Sequence, residues 1–594
     1  MPKSRFAKSK PKDSKRALQL FLASLKNFRV AIALALTFSL FTNIFTLFVP
    51  KILGGMTNSA VADLSAGSTI DFAPIKTSAI QLGVIYLIIA VLTYFQTYLL
   101  ERTTTFYIKF LRTKIIDKIS RLPISYFDQH QFGDVLSILS NDTDTLWNTL
   151  TEGLTQILSS LVTIIGCSVM MFIISPLLAA VSIVVVPISV FAVSKITKPA
   201  QAHFVAQRKT LGELNSHIEE DYAGQLIIKS NSHEARSLAT FHATNQKLYE
   251  ESWKANFEGS LAFPVVHFFT NLGYVTICVL GGHLALTGQL LIGNIQAFIQ
   301  YLSRFNQPLS NLSQIVVTIQ ETLAAAERVF GFLNEPEELP DPANAKTIAK
   351  VRGAVEFHDV SFSYDKQTPV IKHFSATVQP GQQVAIVGPT GAGKTTLINL
   401  LMRFYDPDSG YITIDGVPTS EMKRSDVRAL FGMVLQDTWL FSGSVKDNLA
   451  YGNPKATFAK IKSATNLAGI DHLIKSMKGG YSAQISEDSD NISAGEKQLL
   501  TIARAMVASP PMMILDEATS NVDTRAEQLI QDAFNHLTKG RTSFVIAHRL
   551  STIRNADLIL VLKDGNIVEQ GNHEQLLKKR GFYAELYNSQ FSDN

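Results

Sequence analysis

The chain has 594 residues, 46% hydrophobic and only 18% charged, with a mean hydropathy of +0.14. Charged residues ordinarily make up about 25%, so a mostly disordered chain is excluded and a wholly soluble one disfavoured, while the hydropathy is too low for a chain lying entirely in a bilayer. The 54 basic and 50 acidic residues leave a net charge of +4, which gives no case for a nucleic-acid partner. The 2 cysteines, Cys167 and Cys278, lie in apolar runs, so packing is expected of them rather than a disulfide framework or a Cys metal site.

Residues 1–29 carry Lys3, Arg5, Lys8, Lys10, Lys12, Lys15, Arg16, Lys26 and Arg29 against Asp13 alone, which predicts a cytosolic end. The basic leader is followed by no short apolar region with a cleavage site, so no signal peptide is expected. Leu18–Leu25 reads as a short amphipathic helix on the inner membrane surface, with a solvated tail as the alternative.

Residues 30–330 read as a transmembrane domain. Six apolar stretches, roughly Val30–Val49, Ile80–Leu100, Leu154–Ile174, Leu177–Ile196, Phe263–Leu286 and Leu291–Val317, are long enough to cross about 30 Å of hydrocarbon. Ser175-Pro176 joins the third to the fourth, and Thr287-Gly288-Gln289-Leu290 the fifth to the sixth, as tight hairpins. Segments 102–153 and 197–262 are long, charged and helical in pattern, and with an inside amino terminus both are cytosolic. The outer loops are short except for about 51–79. Helices that extend this far suggest contact with something cytosolic.

The sixth stretch carries a polar stripe. Gln296, Gln300, Arg304, Gln307, Asn311 and Gln314 recur at steps of 4, 4, 3, 4 and 3, which is one helix face. Such a face avoids lipid. It either bonds to neighbouring helices or lines a water-filled cavity, the reading favoured for Gln296, Gln300, Arg304, Gln307 and Asn311. Phe298, Tyr301 and Phe305 beside it read as packing, or as flat surface for a ligand.

Residues 331–352, rich in Pro and acids, read as a linker. Beyond them, over 353–594, β-branched runs alternate with helical patterns, which predicts an α/β domain. Val384-Ala385-Ile386-Val387 runs into Gly388-Pro389-Thr390-Gly391-Ala392-Gly393-Lys394-Thr395 and then the helical Thr396-Leu397-Ile398, a P-loop in its strand–loop–helix setting. Its glycines let backbone N–H groups curl around phosphate oxygens of ATP, Lys394 reaches the β- and γ-phosphates, and the Thr395 hydroxyl suits Mg²⁺. A second buried strand, Met512-Met513-Ile514-Leu515, ends on Asp516 and Glu517. Asp516 suits metal binding through water, and Glu517 polarisation of the attacking water.

With these motifs in place, the chain resembles an ATP-binding cassette (ABC) exporter half-transporter, six spans fused ahead of one nucleotide-binding domain, over nearly its whole length. The resemblance implies that Tyr364 stacks on adenine, that Gln436 in the Q-loop senses Mg²⁺ and the γ-phosphate, and that His548 is the switch histidine. It also implies a D-loop at Ser520-Asn521-Val522-Asp523. Leu122-Pro123-Ile124-Ser125-Tyr126-Phe127-Asp128, with Gly133 and Asn141-Asp142, resembles a first cytosolic loop whose coupling helix docks on the ATPase.

The family signature, usually Leu-Ser-Gly-Gly-Gln, reads Ile492-Ser493-Ala494-Gly495-Glu496 here. Ser493 and Gly495 can still face a γ-phosphate on the opposite subunit. Ala494 adds a methyl group, and Glu496 places a carboxylate near a triphosphate, an expected penalty of about 1 kcal/mol. The motifs this chain uses on its own ATP are intact, while the one it lends to a partner is altered. That asymmetry, with Ser486–Asn491 resembling subunits of heterodimeric bacterial multidrug exporters, implies a heterodimer rather than a homodimer. The expectation is multidrug-type, ATP-driven efflux of amphipathic or hydrophobic compounds across a bacterial plasma membrane by alternating access. A lipid flippase of the same fold and an ATP-gated channel or regulator are the alternatives.

Overall fold

A computed structural model describes residues 13–67, 69–365, 368–436, 438–486, 492–516, 524–546 and 550–591. By contact the chain divides into two units, Met1–Leu122 with His130–Pro336, and Pro123–Gln129 with Glu337–Asn594.

The first unit is helical. Its elements are α1 (Ser14–Ser24), α2 (Arg29–Ser65) and α3 (Phe72–Ile119); after α4 (Ile124–Gln129), which falls in the second unit, come α5 (Phe132–Ile174), α6 (Pro176–Ala223), α7 (Gln225–Ser230), α8 (Glu234–Leu286) and α9 (Ile292–Leu333). Helices α2, α3, α5 and α8 are long and apolar enough to cross a membrane. The fourth and sixth apolar stretches fall in α6 and α9, of 48 and 42 residues. At 1.5 Å per residue, α3, α5, α6 and α8 measure about 65–80 Å, at least twice the hydrocarbon thickness.

Local chemistry sets the helix ends. Asp13 caps α1 by accepting the Arg16 N–H at 3.1 Å. Ala17 and Phe21 of α1 are buried, with Phe21 edge-on to Tyr107 of α3, while Leu18 and Leu22 stay exposed. Ser175 is the single non-helical residue between α5 and α6. Its hydroxyl accepts the Leu178 N–H, and Pro176 opens α6 where an N–H would lack a helical partner anyway. Between α8 and α9, Gly288 takes φ +74°, which lets the Gln289 N–H reach back to the Leu284 carbonyl at 2.9 Å.

The expected outer loop over about 51–79 is mostly helix: α2 runs to Ser65 and α3 starts at Phe72. The polar residues past the apolar run are bonded to α9. Asn58 accepts the Gly293 N–H at 2.7 Å, and its amide reaches Asn294 at 3.2 Å. Close to this contact α2 and α9 approach backbone to backbone. A Cβ on Gly54 would stand 2.3 Å from the Gly293 carbonyl oxygen, so only glycine fits.

Helix α5 contains two π-turns, Ile138–Asp142 and Thr149–Gly153. Both turns bond to α9. Arg328 grips Asp142 with two hydrogen bonds of 2.9 and 2.5 Å, and Thr149 meets the Thr322 hydroxyl at 2.6 Å. The Asp142 side chain is only 3% exposed. Its hydrogen bonds hold the Arg328 guanidinium even more firmly protonated than an ordinary arginine. Cys167 is buried as expected, but Cys278 lies on the outside of the bundle, so packing within this unit accounts for only one of them.

The second unit is α/β. One sheet has the order β2 (Ile371–Val378), β1 (Val355–Phe362), β4 (Ser409–Ile414), β5 (Val417–Pro418). The other has the order β12 (Asn566–Gly571), β11 (Leu558–Lys563), β3 (Gln383–Val387), β10 (Thr542–Ile546), β9 (Met512–Asp516), β6 (Phe431–Val434). From β11 to β6 every pair is parallel. These strands are buried on both faces, which is why they read as continuous apolar runs. A two-residue pair, β7 (Gly443–Ser444) with β8 (Gln484–Ile485), lies apart.

The acids after α9 find arginines in this unit. Glu338 pairs with Arg428 at 2.9 Å, and Asp341 accepts the Arg424 N–H at 3.1 Å. Helix α4 belongs here by contact: Tyr126 is buried, and Asp128 accepts the Tyr405 hydroxyl. Burial and that carboxylate push the Tyr405 phenol above its usual range.

Candidate nucleotide site and membrane stripe

The carboxyl edge of the six-stranded sheet gathers the phosphate-binding residues. In register, Ile546 of β10 pairs with Ile386 of β3 on one side and Asp516 of β9 on the other. The strand tips carrying the P-loop and Asp516 therefore lie level, two strand spacings or about 10 Å apart. In open α/β sheets this is the edge where ligands bind.

After β3 the chain turns through Gly388, Pro389, Thr390, Gly391, Ala392 and Gly393 into α10 (Lys394–Leu401). Gly391 and Gly393 adopt φ +85° and +101°. At Gly393 a Cβ would also meet the Ile371 side chain at 2.7 Å. Lys394 Nζ donates to the carbonyls of Gly388 and Pro389 at 2.7 and 3.0 Å, so the loop curls around its own lysine. Burial pulls this ammonium below the usual lysine range, and the Asp516 carboxylate opposes that shift. Thr395 is exposed at the helix start, and Thr396 is buried behind it. The Tyr364 hydroxyl donates to Thr396 Oγ1 at 3.1 Å, while its ring stands edge-on to Phe362 and Tyr405 and remains 43% exposed.

Thr395 and Asp516 supply the hard oxygen donors that Mg²⁺ prefers. Gln436, third of the expected metal-site residues, lies exposed just past β6. Glu517 and His548 lie outside the described residues, as does the expected D-loop. The described chain stops one residue before Glu517 and two before His548, at Asp516 and Ile546, which pair with each other.

The altered signature opens α11 (Ala494–Ala508). Ser493 Oγ accepts the Glu496 N–H at 3.3 Å, and Glu496 Oε2 accepts the Ser493 N–H at 2.8 Å. This is a capping box. Glu496 is thus a capping residue as well as a charge near phosphate, and the Ser-x-x-Glu spacing is the sequence signal for it. Gly495 is buried, and Ser493 and Ala494 are exposed.

The stripe on α9 serves partly as interhelical glue. Thr57 of α2 donates to Gln296, and Arg304 Nη1 donates to the Thr46 carbonyl at 3.0 Å. Gln300 is half-buried and Gln307 exposed, while Asn311 lies on the same helix. Phe298, Tyr301 and Phe305 are buried in the bundle core, so they pack rather than face a ligand in this conformation. Tyr301 also donates to the Leu47 carbonyl at 2.5 Å.

A nucleotide cradle of this kind defines a P-loop ATPase. The family model for the ABC transporter transmembrane region matches residues 32–309, and the ABC transporter family model matches residues 371–520. The fatty acid ABC transporter ATP-binding/permease protein of Mycobacterium tuberculosis is 46% identical over 520 residues, covering 88% of this chain and 82% of that protein. An uncharacterized ABC transporter ATP-binding protein of Bacillus subtilis, YfiC, is 37% identical and covers 98% and 96%. The ATP-dependent lipid A-core flippase of Syntrophus aciditrophicus is 33% identical, covering 88% and 86%. A bacterial Atm1-family ABC exporter solved with ATP bound superposes with a TM-score of 0.72 at 28% identity, covering 96% of this chain and 99% of that one. The chain belongs to the ABC transporter family, as an ATP-hydrolysing half-transporter of the exporter fold.

Proposed function

We propose that this chain drives export of amphipathic or hydrophobic compounds across a bacterial plasma membrane, its amino terminus and ATPase unit in the cytosol. It works as one half of a two-subunit exporter. The observation that carries the reading is the level pairing of the P-loop strand and the Asp516 strand in one chain with helices of exporter length.

The loop from Gly388 to Thr396 cradles the phosphates, Lys394 exchanges loop carbonyls for phosphate oxygens, and Tyr364 offers its exposed ring to adenine. Bound Mg²⁺, held by Thr395, Gln436 and, through water, Asp516, would neutralise phosphate charge. Glu517 orients the attacking water and His548 contacts the γ-phosphate. Closure around ATP requires that the closed dimer bind it more tightly than the open one. Dimer formation is supported by the tip of the α6–α8 hairpin, where Tyr222, Leu226 and Ile227 are 88%, 82% and 68% exposed and call for a partner surface.

The altered signature favours a heterodimer, in which Ser493, Gly495 and Glu496 complete only one of two ATP sites. The purified chain alone should then hydrolyse ATP poorly. Full, substrate-stimulated turnover without a second polypeptide would defeat this part of the reading. A lipid-like substrate is favoured within the amphipathic class by relatives named for fatty acid and lipid A-core transport. Reconstituted vesicles fed ATP and Mg²⁺ should move an amphiphile, and hydrolysis without movement would overturn export.

A further inference from the structure

Arg304 is the one arginine in the six apolar stretches, and none of those stretches contains an aspartate or glutamate. It lies about 18 Å along α9 from Ile292, deep within a hydrocarbon layer about 30 Å thick. A cation at that depth is costly and ordinarily finds an anion. Here its described bond is to a neutral group. Pro50 lacks an N–H, so the Thr46 carbonyl one turn earlier in α2 has lost its helical donor. Arg304 Nη1 fills that vacancy at 3.0 Å. One of five N–H donors is thereby used. Among the described residues no carboxylate stands within ion-pair distance of the others. The guanidinium is half-buried, with half-buried Gln300 one turn before it and exposed Gln307 one turn after it on the same face.

We propose that Arg304 receives the acidic headgroup, carboxylate or phosphate, of the amphiphile this exporter moves, with Gln300 and Gln307 supplying amide hydrogen bonds to the same oxygens. The inference rests on the export reading and names its substrate class. Thr46 and Tyr301 hold the guanidinium side of α9 against α2, so the cation is fixed before the headgroup arrives. The missing counter-charge is brought by the cargo, and a neutral or cationic headgroup leaves the site unsatisfied.

The test is equilibrium binding of dodecanoate, dodecyl phosphate and dodecanol to the full-length exporter, with its partner subunit, in neutral detergent. Arg304→Gln should weaken the two acidic probes tenfold or more and dodecanol less than twofold, with Arg304→Lys recovering part of the loss. The dodecanoate and dodecyl phosphate arms separate a carboxylate cargo from a phosphate one. A purely structural role predicts otherwise. In a Pro50→Ala background the Thr46 carbonyl regains its own donor, so a structural Arg304 becomes dispensable and Arg304→Gln costs nothing. The proposal expects the same tenfold selective loss there. It is overturned if acidic and neutral probes fall together, or if the loss disappears with Pro50→Ala. Transport in vesicles is scored separately: wild-type protein that binds acids selectively but moves no amphiphile refutes export while upholding the Arg304 site.

Discussion

Replacing Arg328 by methionine strands the Asp142 carboxylate inside the bundle. That side chain is 3% exposed and accepts two hydrogen bonds from the guanidinium, at 2.9 and 2.5 Å. Removing one member of such a pair costs about 3–5 kcal/mol, because the remaining charge is buried without compensation. Replacing both by apolar residues of similar volume is often nearly neutral. With each 1.4 kcal/mol worth a factor of ten, Arg328→Met should raise local opening of the π-turn region at least about a hundredfold. Amide hydrogen exchange reads this directly. The amides of residues 138–153 should exchange at least a hundred times faster in the single variant. In Asp142→Leu/Arg328→Met they should return to within about tenfold of wild type. Wild-type exchange in the single variant, or a double variant as fast as the single, refutes the argument that burial of an unpaired carboxylate dominates here.

Glu517→Gln should bind ATP with near wild-type affinity and hydrolyse it at a small fraction of the rate; wild-type turnover in a phosphate-release assay would remove Glu517 from the catalytic role. Gly293→Val should separate α2 from α9, since a Cβ there stands 1.9 Å from the Gly54 carbonyl oxygen, and should lower the thermal unfolding temperature in detergent by several degrees. Glu496→Ala removes one of the two capping-box bonds, that of the carboxylate to the Ser493 N–H, and should cost about 0.5–1 kcal/mol of stability, whereas Glu496→Gln keeps the reciprocal bonds and removes the charge. ATPase assays of the assembled transporter should therefore rise for Glu496→Gln and not for Glu496→Ala.

The nucleotide cradle is legible because its signal is contiguous: a buried strand, a glycine turn and a helix start within about a dozen residues. Asp516 is legible because a strand buried on both faces reads as an apolar run that stops on a carboxylate. What hides is whatever depends on pairing across the chain. Arg304 and Thr46 are far apart in sequence, and only the helix crossing identifies the Thr46 carbonyl, left without a helical donor by Pro50, as the arginine's partner. Asp142 and Arg328 likewise meet across the bundle, at a π-turn that widens α5 and that no residue pattern announces. Phe298, Tyr301 and Phe305 follow the helical spacing of the polar stripe closely enough that periodicity alone does not separate core from cavity. The acids after α9 read as linker composition, yet Arg424 and Arg428 use them as anchor points.

Ser175 has a mechanical consequence. With one extended residue between helices of 43 and 48 residues, α5 and α6 resemble the legs of a drawing compass joined at their pivot. The legs are about 65 and 70 Å long, so opening the compass by 10° carries the far ends about 11 Å apart while the pivot hardly stirs. Large excursions at the Tyr222 end thus demand little rearrangement near Ser175, and stiffening that single joint would arrest both legs together.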